Sequence, residues 1–329
     1  GRLRSGGIIV ESVFVDNVHT LTPGRRCPVG GVRRLLACLV LAVVLLGGAG
    51  CRRTSGPGSP AGGATTLENK GSDTIVNLAL AWAERYQELH PEVRIAVTGG
   101  GSGTGIAALM NGTVDIANAS RAIKEEELAT ARANGIEPHE FTIARDAIAV
   151  IVHPSNPVDT LTLQQISDIY SGKIDNWRDV GGEDRPIVRL SRETNSGTHV
   201  YFLEAVIRLG DADDDTLFSA DTLLMPSSEG IGVEVRQNPN AIGYDGLGYV
   251  TEDMKTLAIG LSPDGPFWEP SVETVNAGQY PVARDLYMYT AGAPTDLIET
   301  YLAWIMSAEA QKIVLDLGFV PVEGTSDAP

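Results

Sequence analysis

The chain has 329 residues, 43% hydrophobic and 20% charged, with a formal net charge of −17; that is a globular balance, and the length suits about two domains. Residues 1–51 hold six arginines (Arg2, Arg4, Arg25, Arg26, Arg33, Arg34) against Glu11 and Asp16, a net of +4, which leaves −21 on the rest. So acidic a body excludes nucleic acid or an anionic membrane surface as its main partner, and any anion must be held by local hydrogen-bond donors.

Residues 1–31 fit no part of an export signal and the first methionine is Met110, so this stretch is expected to be a mis-called upstream segment, with initiation at Val29 or Val32. Arg33 and Arg34 then precede twelve apolar residues, Leu35–Leu46, and small residues up to Cys51. A charged start, a short apolar run and a small-residue break predict a signal peptide over 32–51. As a helix the run spans roughly 18 Å, too little for a bilayer core of about 30 Å. Ala49 and Gly50 before Cys51 are similar to a bacterial lipobox, with Gly48 where Leu is usual, so Cys51 is read as a lipidated N-terminus. Cys27, Cys38 and Cys51 are the three cysteines. The body beyond them therefore has no disulfide, thiolate metal site or thiol nucleophile. Residues 52–67, rich in Gly, Ser, Pro and Thr, read as a tether.

The body alternates helix-like and strand-like segments. Ile75, Leu78, Trp82, Tyr86 and Leu89 recur at spacings of 3 and 4, one face of an amphipathic helix capped by Ser72 or Asp73. Val93, Ile95 and Val97 alternate as a strand; a Gly-rich turn and a short helix with Ile106, Leu109 and Met110 follow. Ile148–Val152 is a continuous apolar run that predicts a buried parallel strand. A helix at Leu163–Tyr170, a strand at Ile187–Leu190 and a helix from Ser196 to near Gly210 complete an α/β layering. The expected division is one lobe over 68–146 and 244–329 and a second over 147–243, with a ligand cleft between them.

Three segments place hydroxyls and glycines at a strand-to-helix junction: Gly71–Thr74, Gly99–Gly105 and Arg192–Thr198. A helix start offers unpaired N–H groups and the positive end of the macrodipole, so it receives anions. Gly admits close approach, Ser and Thr add donors, and Arg192 adds a fork for an oxyanion. Each segment alone is no more than an ordinary cap; the three together point to anion binding. Enzyme readings fit poorly. Gly105 is followed by Ile106 where a P-loop needs Lys, and Thr104 stands where a nucleophile elbow at Ser102 needs Gly. The five histidines have no ligand spacing, His199 reads as a first-turn helix residue, and Asp211–Asp215 lacks the pattern of an EF-hand. No catalytic residue, metal or cofactor is expected.

These segments carry a resemblance to the phosphate-binding proteins of ABC importers, the PstS family. It covers nearly all of residues 68–322 and includes GSDTI at Gly71, GGGSGTGI at Gly99, DIANASR at Asp115, LTLQQISDIYSGKIDNW at Leu161, RETNSGT at Arg192, AIGYDGLGYV at Ala241 and YPVARDLYMYT at Tyr280. The resemblance implies a type II periplasmic-binding-protein fold, two α/β lobes on a two-strand hinge that close over phosphate. It also implies an ABC permease as partner, a monomer, and a place outside the cytoplasm, held to the membrane by a lipid alone. Carried over by position, the phosphate contacts would be Ser72, Asp73, Thr74, Ser102, Ser120, Arg121, Arg192, Ser196, Gly197 and Thr198. Well-known members carry an acid where Arg121 stands. Asp73 is therefore expected to supply the acceptor for a protonated oxygen, with Arg121 pairing with it or touching the anion. Three alternatives stay open: a binder of sulfate, molybdate or tungstate on the same helix starts; a secreted phosphate-ester hydrolase, for which no metal cluster or activated nucleophile is visible; or a lipoprotein serving only as a phosphate sensor or adhesin.

Overall fold

The computed structural model describes residues 65–322; the expected signal peptide, Cys51 and most of the tether lie outside them. The tether is shorter than the composition suggests. Strand β1 (Thr65–Gly71) already includes Leu67, which is fully buried. Helix α1 (Asp73–Leu89) buries Ile75, Leu78, Trp82 and Tyr86, the face that their spacing predicts. Leu89 departs from it: as the last helical residue it lies beyond the packed stripe and is 42% exposed.

In chain order there follow β2 (Val93–Thr98), α2 (Ser102–Met110), β3 (Ile116–Ala119), α3 (Glu125–Ala133), the long β4 (His139–Val152), β5 (Thr160–Thr162) and α4 (Leu163–Tyr170). Next are β6 (Val188–Arg192), α5 (Gly197–Phe202), β7 (Leu223–Met225), α6 (Ser228–Gln237) and β8 (Ala241–Gly246). The chain closes with β9 (Lys255–Thr256), β10 (Ala258–Gly260), β11 (Phe267–Trp268), α7 (Val272–Asn276), β12 (Ala283–Thr290), α8 (Asp296–Ile305) and α9 (Ala308–Asp316). The helix expected from Ser196 to near Gly210 is realised as α5 and one π turn, Leu203–Ile207.

One strand organises the sheet, whose order is β2-β1-β3-β12-β4-β8-β6-β7, with β9 also on β4. The first half of β4 pairs with β12 and its second half with β8, both antiparallel. The parallel pairing expected for Ile148–Val152 is thus corrected. The run is apolar because both faces of this central strand are covered, and burial says nothing of direction. Parallel pairing sits to either side, β1 with β2 and β3, and β6 with β7 and β8.

Two cores flank the crossing. The first holds Leu67, Ile75, Trp82, Ile143, Leu286, Tyr301 and Val314; the second holds Ile148, Val150, Tyr170, Trp177, Phe202 and Tyr244. Residues 255–282 do not follow the expected division. Leu257, Ile259, Val275, Tyr280 and Val282 bury in the second core, and β10 extends β5 in parallel. The apolar pattern there says that these residues are buried but not in which core, which is why the sequence gives no sign of the detour. Among the described residues no helix is long and apolar enough to cross a membrane.

The Trp82 indole fills the first core and donates to the Ala310 carbonyl at 2.9 Å, tying α1 to α9. Trp82→Ala should lower unfolding free energy by about 3–5 kcal/mol, against less than about 1 kcal/mol for Leu89→Ala at its exposed position. Urea denaturation of the two variants checks this; equal losses would contradict the packing described.

Candidate functional site

The three helix starts singled out in the sequence meet where the lobes face each other. At the first, Ser72 holds the N-cap position of α1 without a side-chain cap bond, and its N–H donates to the Asn118 carbonyl. Asp73 does not cap its own helix either. One carboxylate oxygen accepts from the Gly100 N–H at 2.8 Å, and the other from Arg192 at 2.7 Å. At the second start the chain turns through Gly101 at φ 91° into α2, in the left-handed region, and a Cβ there would press on the Asn195 backbone. At the third, Ser196 caps α5 by accepting from the Thr198 N–H at 3.2 Å. A Cβ on Gly197 would collide with the Ser102 and Ser120 hydroxyls, so glycine is what lets the lobes come this close.

Five hydroxyl residues gather there: Thr74, Ser102, Ser120, Ser196 and Thr198, none more than 3% exposed. Thr74 and Thr198 share a hydrogen bond across the lobes at 2.8 Å, and Ser102 and Ser120 share one at 3.2 Å. Asn195 bridges the lobes as well: its side chain donates to the Gly100 carbonyl at 3.0 Å, and its carbonyl accepts from the Gly103 N–H at 3.1 Å.

Arg192, 1% exposed, ends β6 inside this cluster. Beyond Asp73 it donates to the Ser228 hydroxyl at 2.8 Å, and Ser228 in turn donates to Asp245 at 2.8 Å. Its Nε is buried and has no partner among the described residues. A second guanidinium, Arg284, lies alongside. It donates to Asp146 at 3.0 Å, to Thr198 at 2.9 Å and to the Ser120 carbonyl at 2.9 Å. Burial pushes the Asp146 carboxyl up, and Arg284 opposes the shift. Burial likewise pushes Asp245 up to about 6, opposed by Arg192 and the Ser228 hydrogen bond. Arg284, Asp146, Asp245 and Ser228 all escape a search for Gly and hydroxyl residues at helix starts. Arg284 and Asp245 do lie in the quoted YPVARDLYMYT and AIGYDGLGYV segments, and a charged residue in an otherwise buried strand pattern is the signal that finds them.

Arg121 is not placed as expected. It forms a two-pronged pair with Glu127 at 2.8 and 2.7 Å and donates to the Ala122 carbonyl, while Asp73 is taken by Arg192. Burial would push the Glu127 carboxyl up, but the Arg121 hydrogen bonds hold it below its ordinary value. The reason is local: Glu127 also accepts from the Lys124 N–H in the first turn of α3, which sets its carboxylate beside Arg121. His199 packs on Phe218 and meets the Ser191 hydroxyl at 3.0 Å, and burial lowers its pKa. A cleft of about 430 Å³ runs past Arg121, Tyr201, Glu204 and Arg284 between the lobes.

Buried hydroxyls, two guanidiniums and paired carboxylates in one dry cluster suit an oxyanion that still carries a proton. Donors satisfy its bare oxygens, and a carboxylate accepts from its O–H. A fully ionised anion meets the same carboxylate as a repulsion.

Comparison with known proteins places these features in a family. The PBP superfamily domain matches residues 57–309. The chain is 33% identical to the phosphate-binding protein PstS of Pseudomonas aeruginosa, over 88% of this chain and 95% of that one. It is 31% identical to PstS of Bacillus subtilis, over 88% and 92%. A solved structure from Clostridium perfringens, described as a phosphate ABC transporter substrate-binding protein with bound phosphate, superposes with a TM-score of 0.71 at 33% identity. It covers 79% of this chain and 100% of that one.

The raised Asp245 sets a pH test. Its folded pKa of about 6 exceeds the ordinary 3.8, so the folded protein binds the extra proton. The stabilisation is complete below about pH 3.8 and disappears as pH rises through about 6. Asp245→Asn should therefore match wild-type melting near pH 4 and gain on it above pH 6. A difference independent of pH would contradict the burial assigned to this carboxyl.

Proposed function

This chain belongs to the PBP superfamily and, within it, to the phosphate-binding PstS proteins, and on that premise we propose how it takes its ligand. It binds inorganic phosphate and delivers it to an ABC importer. The observation that carries the site assignment is Arg192, a guanidinium buried among three helix starts, with Asp73 of the opposite lobe fixing one side of it.

In this reading the helix-start N–H groups and the hydroxyls of Thr74, Ser102, Ser120, Ser196 and Thr198 donate to phosphate oxygens. Ser72 and Gly197 contribute backbone, and Arg192 supplies the charge. Asp73 accepts from the protonated oxygen. Arg121, engaged by Glu127, borders the site through its neighbour Ser120. The chain binds and releases its ligand without turnover. Export through residues 32–51, a lipid on Cys51 and a short tether would hold a monomeric body near the importer's permease, a reading supported by the apolar run and by Ala49 and Gly50.

Calorimetry of phosphate and sulfate on wild type and Asp73→Asn tests this. Wild type should bind one phosphate and discriminate against sulfate. The variant, with the repulsion removed and the shape kept, should shift the ratio toward sulfate by about tenfold or more, ~1.4 kcal/mol. A wild type that takes no phosphate, or that hydrolyses an aryl phosphate, contradicts the function; an unchanged ratio contradicts the role of Asp73.

A further inference from the structure

We propose that Arg284 is a further residue of the binding site, and that through Asp146 it couples anion capture to closure of the lobes. The inference rests on the phosphate reading above. Arg284 belongs to β12 of the first lobe, yet its contacts extend to both lobes and to the hinge. Its guanidinium donates to the Ser120 carbonyl of the first lobe at 2.9 Å and to the Thr198 hydroxyl of the second at 2.9 Å, with Thr74 at 3.4 Å. It also lies 5.5 Å from the centre of the Tyr201 ring on α5, and the Tyr201 hydroxyl donates to the Ala283 carbonyl beside it at 2.7 Å. The second lobe thus docks on this side chain from two directions.

A further contact is with the hinge. Asp146 stands on β4 where that strand passes from one lobe to the other. It takes Arg284 at 3.0 Å on one oxygen and the Leu247 N–H at 3.1 Å on the other. Leu247 directly follows β8, the second strand of the crossing. A Cβ on Gly246 would lie 2.8 Å from the Asp146 carboxylate, so that strand can come this close only with glycine there. Both members of the pair are buried, Asp146 fully and Arg284 to 6% exposure. A pair so placed holds only while both charges stay together, because either one alone is strongly penalised.

An anion among the Thr74, Ser120 and Thr198 groups lies next to Arg284. It gains most from this cation when Thr198 of the second lobe is drawn up to it, which is the closed arrangement. Arg192 is placed differently: its hydrogen bonds go to Asp73, Ser228 and Pro226, and it reaches the hinge only indirectly, through Ser228 and Asp245 of β8, with no direct bond to β4.

The test combines calorimetry with small-angle scattering on the purified protein, each variant measured at a phosphate concentration that saturates it. Wild type should lose radius of gyration on saturation. Arg284→Ala should bind about 10- to 150-fold more weakly and, once saturated, fail to compact. Arg284→Lys should restore compaction, since the cation is kept. Arg284→Ala leaves Asp146 as a lone buried carboxylate, so the double variant with Asp146→Asn is measured beside it and should show the same loss. If Arg284→Ala or the double variant compacts as wild type does, or if wild type binds without compacting, the inference is overturned while phosphate binding stands. A wild type that takes no phosphate removes the functional reading, and this inference with it.

Discussion

A guanidinium held in a dry interior is the constraint on which this structure depends. Arg192 is 1% exposed, and an unpaired charge at such a place costs several kcal/mol. The fold meets that cost with groups from both lobes: Asp73 from the start of α1, and Ser228, backed by Asp245, from the second lobe. The same bonds that keep Arg192 in place therefore set how the lobes meet. Asp73 gives one oxygen to this task and the other to the Gly100 N–H, while Ser72 at the N-cap of the same helix makes no side-chain cap bond.

This arrangement reconciles an acidic body with an anion as ligand. The −21 beyond residue 51 repels anions at long range, so capture depends on short-range donors whose direction is fixed in advance. Glycines at the second and third helix starts bring backbone and hydroxyls within reach, and in the proposed reading Asp73, which pairs Arg192, is the acceptor. An oxyanion that carries a proton can satisfy such a site; one without a proton meets a carboxylate with nothing to donate. Phosphate and sulfate differ in that respect near neutral pH.

Much of this was legible in the sequence because the signals are local. The spacing of Ile75, Leu78, Trp82 and Tyr86 gives α1 directly, and all three Gly and hydroxyl segments do open helices. What was not legible depends on contacts far apart in the chain. Ile148–Val152 reads as a buried strand, but its antiparallel direction is set by its partners β8 and β9, which come far later in the chain. Residues 255–282 show that they are buried, but not in which core. Arg121 and Asp73 are natural partners only by the family resemblance, which places both among the phosphate contacts. Glu127, six residues from Arg121, and Arg192, 119 residues from Asp73, claim them instead. Arg284 lies outside the Gly and hydroxyl helix starts, and its sequence signal is only the charge it places in an otherwise buried strand pattern.

The most direct measurement of the central claim is calorimetric titration of phosphate into Arg192→Ala. Loss of a buried, charge-assisted contact at the meeting point of the three helix starts predicts affinity lower by about 10- to 150-fold, roughly 1.5–3 kcal/mol, with one site retained. An Arg192→Ala protein that binds phosphate as tightly as wild type would contradict the account.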